Sequence, residues 1–262
     1  MKILFTSDLH FSIQTFRLEM LELRGMLERV NPDVLAISGD VSDMPDDRNI
    51  CADLALLDVP VVFCLGNHEF AYHSVTGTIE KWKNDMESVR MNGIGNVCCL
   101  DVDGHFDMDG IRFYGNVLWY DGSLSNRLDT AKYMRHVWKN WLDSTIIDFN
   151  PMEEHLKCIR QLKESQNGWH GNGLVLLTHC VPHRRLNAFD VLTPMSIANC
   201  YSGVDDLFGK HGILPDFALC GHTHKRCHYE HHVNEVKMID CINSGNDYFF
   251  NTGHIDYDVI EV

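Results

Sequence analysis

The chain has 262 residues, 45% of them hydrophobic, which suffices for one substantial core. Its net charge of −15 repels a phosphate backbone at long range and disfavours sequence-independent nucleic-acid binding through a basic surface. No apolar run approaches the ~20 residues needed to span a bilayer, so no membrane partner is expected.

The ten cysteines do not read as a disulfide framework. No secretory signal precedes the first apolar run, and no CxxC pair marks a structural zinc knuckle. Cys51, Cys64, Cys98, Cys158, Cys180 and Cys220 sit beside apolar residues, as small buried thiols do. A reducing, cytoplasmic location is the expectation.

The first apolar run, Lys2 to Thr6, reads as a buried strand that ends at Ser7-Asp-Leu-His10. From about 13 to 30, Phe16, Met20, Leu23, Leu27 and Val30 recur at helical spacing, and Asn31-Pro32 stops the helix. Residues 33–38 read as a second strand, ending in Gly39-Asp-Val-Ser-Asp43. A helix is predicted around 47–57, then a third strand over 60–65 that ends at Gly66-Asn-His-Glu69. This strand–helix alternation implies parallel strands with crossover helices. In such sheets ligands gather beyond the carboxyl ends of the strands.

The middle is less regular. Residues 97–101 and 111–115 read as strands around a turn at Asp109-Gly110. Residues about 130–146 and 152–166 read as helices. Tyr133, Val137, Trp138 and Trp141 give the first an apolar face, and Pro151 opens the second. A single domain over 1–262 is expected, with a helical cap-like insert at about 121–170. Residues 173–178 form another apolar run, ending at His179, and 215–220 a further one, ending at Gly221-His-Thr-His224. The tail, roughly 227–232, 236–242 and 254–261, reads as short strands of a closing sheet.

Five apolar runs therefore end in five polar clusters: Asp8-Leu-His10, Gly39-Asp40, Gly66-Asn-His68, Thr178-His179 and Gly221-His-Thr-His224. Each alone is weak, since a lone histidine after a strand is more often a hydrogen-bonded loop residue. Together, in order, they point to a metal site. Asp8 and His10, like His222 and His224, are spaced by two, so both side chains of each pair can lean the same way from an extended end. Glycines at 39, 66 and 221 let the chain turn and leave room for ligands. Carboxylate oxygen with imidazole nitrogen suits Mn²⁺, Fe or Zn²⁺ better than Mg²⁺ alone.

This series of motifs, from residue 3 to about 245, resembles the calcineurin-like metallophosphoesterase superfamily. The resemblance implies an α/β fold of two facing mixed β-sheets flanked by helices, with two metal ions between loops at one edge. Mn²⁺ is the expected ion, with Fe or Zn²⁺ as alternatives. It implies that Asp8, His10, Asp40 and His224 hold one metal. Asp40, Asn67, His179 and His222 hold the other, with Asp40 shared. His68 faces the phosphoryl group without binding metal. The family often has Asp where this chain has Glu69, and that acid supports the neighbouring histidine. Two metals about 3.5–4 Å apart make hydroxide available near neutral pH for in-line attack on phosphorus. Asp40 and His68 are the expected catalytic residues. His68 protonates the leaving oxygen or holds a non-bridging one.

Other features have ordinary explanations beside functional ones. His183-Arg184-Arg185 is the one dense basic patch near a cluster. Arg184 and Arg185, with Asn67 and His68, are candidate substrate contacts, because arginine forks match phosphate oxygens. The alternative is a solvated loop. His228, His231 and His232 read as surface residues. Trp119, Tyr120, Trp138 and Trp141 read more readily as packing than as base-stacking platforms. Asp43, Asp46 and Asp47 read as a solvated helix start. The expected substrate is a small phosphodiester or phosphomonoester. The rivals are a nuclease acting on DNA or RNA ends, a catalytically silent metal-bound scaffold, and a metal hydrolase of another bond. The acidic balance lowers the first rival. The retention of Asp8, Asn67 and His68 lowers the second, and resemblance alone argues against the third.

Overall fold

The computed structural model describes residues 1–43, 48–93, 95–125, 139, 141–187 and 200–262. Four strands, β1 (Lys2–Thr6), β2 (Val34–Ser38), β3 (Val61–Cys64) and β4 (Val97–Cys99), run parallel. The C-terminal β11 (Asp258–Glu261) pairs antiparallel to β1 and completes a sheet in the order β11-β1-β2-β3-β4. A second sheet has the order β5-β6-β7-β8-β10-β9. Its strands are β5 (His105–Met108), β6 (Ile111–Asn116), β7 (Gly173–Thr178), β8 (Phe217–Cys220), β9 (Cys227–His232) and β10 (Met238–Asn243). β6, β7, β8 and β10 are parallel, and β5 and β9 are antiparallel edges.

Side-chain alternation explains why the sheets face each other. Successive residues of a strand point to opposite faces, and here both faces are apolar, as in sheets covered on both sides. Ile3, Phe5, Val34, Ala36, Phe113, Val175, Leu177 and Leu219 meet in one buried cluster drawn from both sheets. The intervening residues Leu4, Leu35, Ile37 and Phe63 pack outward with α1 (Phe16–Val30), α2 (Ile50–Leu54) and α3 (Val75–Met91). Tyr114, Leu176 and Ala218 pack on the opposite outer face with α5 (Pro151–Gln166) and α6 (Leu207–His211). The result is two mixed sheets flanked by helices, as expected. No described helix is long and apolar enough to cross a membrane.

Several local expectations need correction. The helix expected over 47–57 is confined to Ile50–Leu54 among the described residues. α3, the longest described helix, is an addition; it buries Thr78, Trp82, Met86 and Val89 at the usual helical spacing. β4 ends at Cys99, and a short helix, α4 (Leu100–Asp103), follows. The turn at Asp109-Gly110 joins β6 to β5, not to β4, which lies in the other sheet. The tail strands are divided, since β9 and β10 extend the second sheet while β11 joins the first. A last short helix, α7 (Phe249–Thr252), precedes β11. Of the helix expected over 130–146, residues 130–138 and 140 lie outside the described residues, and Leu142–Thr145 form a 3₁₀ turn. All ten cysteines are free thiols, and nine are buried.

Phe113 is fully buried between the sheets, so Phe113→Ala is expected to cost about 3–5 kcal/mol. Leu18→Ala, at a position 58% exposed, is expected to change stability by about 0.5 kcal/mol or less. Urea unfolding of both variants measures the contrast. Equal costs would contradict a packed inter-sheet core.

Candidate metal centre

Each expected cluster lies just past the carboxyl end of a parallel strand: Asp8 and His10 after β1, Asp40 after β2, Asn67 and His68 after β3, His179 after β7, and His222 and His224 after β8. The backbone there is unusual. Asp8, His10, Asp40, His222 and His224 have φ of 50°, 48°, 46°, 70° and 50°. Left-handed backbone is uncommon outside glycine and costs about 1 kcal/mol or more per residue. Here it aims five polar side chains back across the sheet edge. Gly39, at φ 76°, lies so close to His179 that a Cβ would come within 2.4 Å of Nδ1. At Gly66 a Cβ would come within 2.0 Å of Asp40 Oδ1, so a side chain there would displace that carboxylate.

Asp40 is the centre of the arrangement. Its Oδ2 lies 3.3 Å from His179 Nε2, 3.6 Å from His10 Nε2 and 3.8 Å from His68 Nε2. Its Oδ1 accepts the His68 backbone N–H at 3.0 Å. Asp8 Oδ1 accepts the His222 backbone N–H at 2.9 Å and stands 3.9 Å from His224 Nε2. Asn67 Oδ1 is 2.9 Å from His179 Nε2 and 3.2 Å from His222 Nδ1. Donor atoms of Asp8, His10 and His224 lie within 4.8 Å of one another, as do those of Asp8, Asp40 and His179. The structure thus gathers all seven expected metal-site residues, with His68 beside them. Of these, Asp40, Asn67, His68, His222 and His224 border a cavity of about 430 Å³ that Trp141 and Leu142 also line.

The donor set fits divalent cations. Among the described residues, His10 Nε2 and His224 Nδ1 are buried with no hydrogen-bond partner, a state that ordinarily costs about 1–3 kcal/mol and calls for an explanation. His179 Nε2 and His222 Nδ1 stand 3.1 Å apart, where two imidazole lone pairs repel unless a proton or a cation lies between them. Protonation reflects this crowding. Burial opposes a charge on His179, but Asp40 outweighs it and raises its pKa to about 9. Burial and the neighbouring His179 push His222 down to about 3. Burial would raise Asp40, yet the surrounding imidazoles hold it well below the usual carboxylate range. Metal binding replaces such protons.

Outer partners orient the cluster. His179 Nδ1 lies 3.1 Å from the Ser38 carbonyl, and His222 Nε2 lies 2.9 Å from the Tyr201 carbonyl. Asn67 Nδ2 donates to Asp143 at 2.8 Å, and Tyr120 Oη donates to the other Asp143 oxygen at 2.9 Å, which turns Asn67 Oδ1 toward the histidines. Burial raises Asp143 to about 6. His68 Nδ1 is 2.9 Å from Asp43, and His10 Nδ1 is 3.3 Å from the same carboxylate. Asp43 is therefore part of the site and not a solvated helix start; Asp46 and Asp47 lie outside the described residues. Glu69 does not support His68. Its two oxygens accept the backbone N–H groups of Ser42 (2.9 Å) and Gly66 (2.6 Å), tying the β2 loop to the β3 loop. Asp143 leaves no local sequence signal, whereas Asp43 stands three residues after Asp40 in the same loop.

The structure does not bring Arg184 and Arg185 into this cluster. Arg184 is paired with Asp205, and Arg185 lies over the Tyr229 ring, 5.7 Å from its centroid. Neither lines the cavity of about 430 Å³. His228 is paired with Asp240 on the sheet edge. Trp119 and Tyr120 are buried packing residues, Trp141 stacks on Tyr201 at 5.3 Å, and Trp138 lies outside the described residues.

The chain belongs to the calcineurin-like phosphoesterase family, whose sequence profile matches residues 1–226. Among solved structures it is similar to a phosphopantetheinyl hydrolase from Mycobacterium tuberculosis, at 15% identity and a TM-score of 0.63, covering 94% of this chain and 89% of that one. It is also similar to a dimetal phosphatase from Danio rerio, at 13% identity and a TM-score of 0.51, covering 94% of this chain and 87% of that one. At these identities the likeness is one of fold. No curated protein matches the chain in sequence.

Because Asp43 holds both His10 and His68, Asp43→Ala is expected to weaken Mn²⁺ binding by roughly 10–100-fold, the usual effect of removing a carboxylate behind a ligand histidine. Calorimetric Mn²⁺ titration of the EDTA-treated protein measures it. Unchanged affinity would show that Asp43 does not orient the cluster.

Proposed function

We propose that this protein is a two-metal-ion phosphoesterase that hydrolyses a small phosphodiester or phosphomonoester. The observation that carries the reading is the convergence of two carboxylates, one amide and four imidazoles from five strand ends around Asp40. In this reading Asp8, His10, Asp40 and His224 hold one cation. Asp40, Asn67, His179 and His222 hold the other, with Asp40 common to both. Mn²⁺ suits this mixture of oxygen and nitrogen donors, and Fe or Zn²⁺ is compatible with it. Two such cations, when bound, would activate water near neutral pH and offset charge on the phosphoryl oxygens.

The chain's own residues do the rest. Asn67 and His68 border the cavity beside Asp40 and face a phosphoryl group seated there. Burial opposes a charge on His68, but Asp40 and Asp43 outweigh it and raise its pKa to about 10. Without cations His68 therefore carries a proton at neutral pH; with cations on Asp40, Asp43 is the carboxylate left to favour that proton. With Nδ1 engaged by Asp43, Nε2 is left to donate to a leaving or non-bridging oxygen. Trp141 and Leu142 give the same cavity an apolar wall. The two similar structures, a hydrolase and a phosphatase, agree with this class of reaction. The free thiols support a reducing cytoplasmic setting.

The test is turnover of bis-p-nitrophenyl phosphate and p-nitrophenyl phosphate after EDTA treatment and Mn²⁺ addition, with metal content measured in parallel. Activity is expected only with metal restored. Asp40→Asn is expected to abolish it, and His68→Ala to lower kcat by about 10²–10⁴-fold with metal retained. Full activity in Asp40→Asn would remove the mechanism, and metal loss in His68→Ala would make that residue a ligand.

A further inference from the structure

A second cavity, of about 440 Å³, opens beside the candidate metal centre. His68 and Leu142 border both cavities. The second is walled by Arg48 and Lys81 together with Trp82 and Tyr72. In a chain with 37 acidic and 22 basic side chains, Arg48 and Lys81 set two cationic groups in one cavity next to the reacting face. We propose that this cavity receives the part of the substrate beyond the scissile phosphoryl group, and that this part carries a second phosphate held by Arg48 and Lys81. The inference rests on the scissile group lying beside His68 and Asp40.

Both cations are fixed before any ligand arrives. The Arg48 guanidinium lies 3.9 Å from the centroid of Phe16 and donates through Nε to Asp53 at 2.8 Å. Lys81 Nζ lies 4.8 Å from the Trp82 centroid and donates to Asp85 at 2.7 Å. A guanidinium has five N–H donors and an ammonium three, so one carboxylate contact leaves each able to bind an anion. Holding long side chains in place removes part of the entropy cost of binding. The acids in the same wall are occupied. Glu69 accepts two backbone N–H groups, and Asp43 faces His10 and His68. A phosphate entering from the His68 side therefore meets donors whose paired acids, Asp53 and Asp85, do not line the cavity. If the two cations served only as surface ion pairs, removing either would leave ligand affinity unchanged.

Calorimetric titration of the protein in Mn²⁺ with AMP and with adenosine 3′,5′-bisphosphate tests the site without relying on turnover. A charged hydrogen bond is worth about 1.5–3 kcal/mol, so the bisphosphate is expected to bind roughly tenfold or more tightly than AMP. That advantage is expected to shrink to a few-fold in Arg48→Ala and in Lys81→Ala, and to persist in part in Arg48→Lys. Thermal melts accompany each variant. Should loss of the Phe16 contact unfold Arg48→Ala, the Lys81→Ala comparison decides. Equal affinity for the two nucleotides, binding of neither, or an advantage that survives both substitutions would overturn the proposal. Turnover of bis-p-nitrophenyl phosphate without the bisphosphate advantage removes this site alone. The advantage without turnover removes the proposed function and leaves the site.

Discussion

A buried carboxylate among imidazoles is the constraint on which the rest of this molecule turns. Asp40 is 1% exposed and stands within 4 Å of ring nitrogens of His10, His68 and His179. An isolated carboxylate at that depth would be costly or would neutralise itself. Here it stays ionised because histidines from three other strand ends surround it. None of those strand ends is adjacent to Asp40 in sequence. The charge is satisfied only when both sheets are formed and stacked, which couples the site to the whole fold.

That arrangement conflicts with local preference. Five residues of the cluster occupy left-handed backbone, where a side chain crowds its own carbonyl. Left-handed backbone is not the local preference of aspartate or histidine, yet five such residues stand at the strand ends of the two facing sheets. The inter-sheet core, fully buried at Ile3, Phe5, Phe113, Val175, Leu177 and Leu219, fixes the strand ends and leaves the loops no relaxed alternative. Glu69 adds a direct brace, because its carboxylate joins the Ser42 and Gly66 amides across two loops. An aspartate at that position is one methylene shorter, so the longer acid is what allows both amides to be reached.

Much of this was legible in the sequence for a physical reason. An apolar run that stops abruptly at Asp-x-His or Gly-His-x-His exposes the strand end and its polar load together, and order along the chain does the rest. Features set by tertiary placement were not legible. Asp43 looks like any carboxylate in a polar loop until His10 and His68 arrive from other strands. Asp143 reaches Asn67 from 76 residues away, and no periodicity marks it. The β5–β6 hairpin was half legible, since Asp109-Gly110 signals a turn but short strands of mixed exposure do not name their partner. α3 is a different case. Trp82, Met86 and Val89 carry the helical period, but Thr78 completes that face as a polar residue and weakens the apolar signal at its start.

The cluster also bears on how an acidic protein would accept the phosphate ester of the proposed function. The overall charge of −15 acts over distances that salt screens within about 10 Å. Chemistry at the strand ends is decided at shorter range. Asp8 and Asp40 are each nearly fully buried, and their charge is met by backbone N–H groups and imidazoles. The cavity itself presents nitrogen-bearing rings and the Asn67 amide beside the single Asp40 carboxylate. Cations bound among those donors would reverse the local sign of the field while leaving the long-range repulsion intact. Under the proposed function, selectivity would follow from reach: a compact phosphate ester would meet the local field, whereas a long polyanion would bring its remaining phosphates against the net negative charge of the chain.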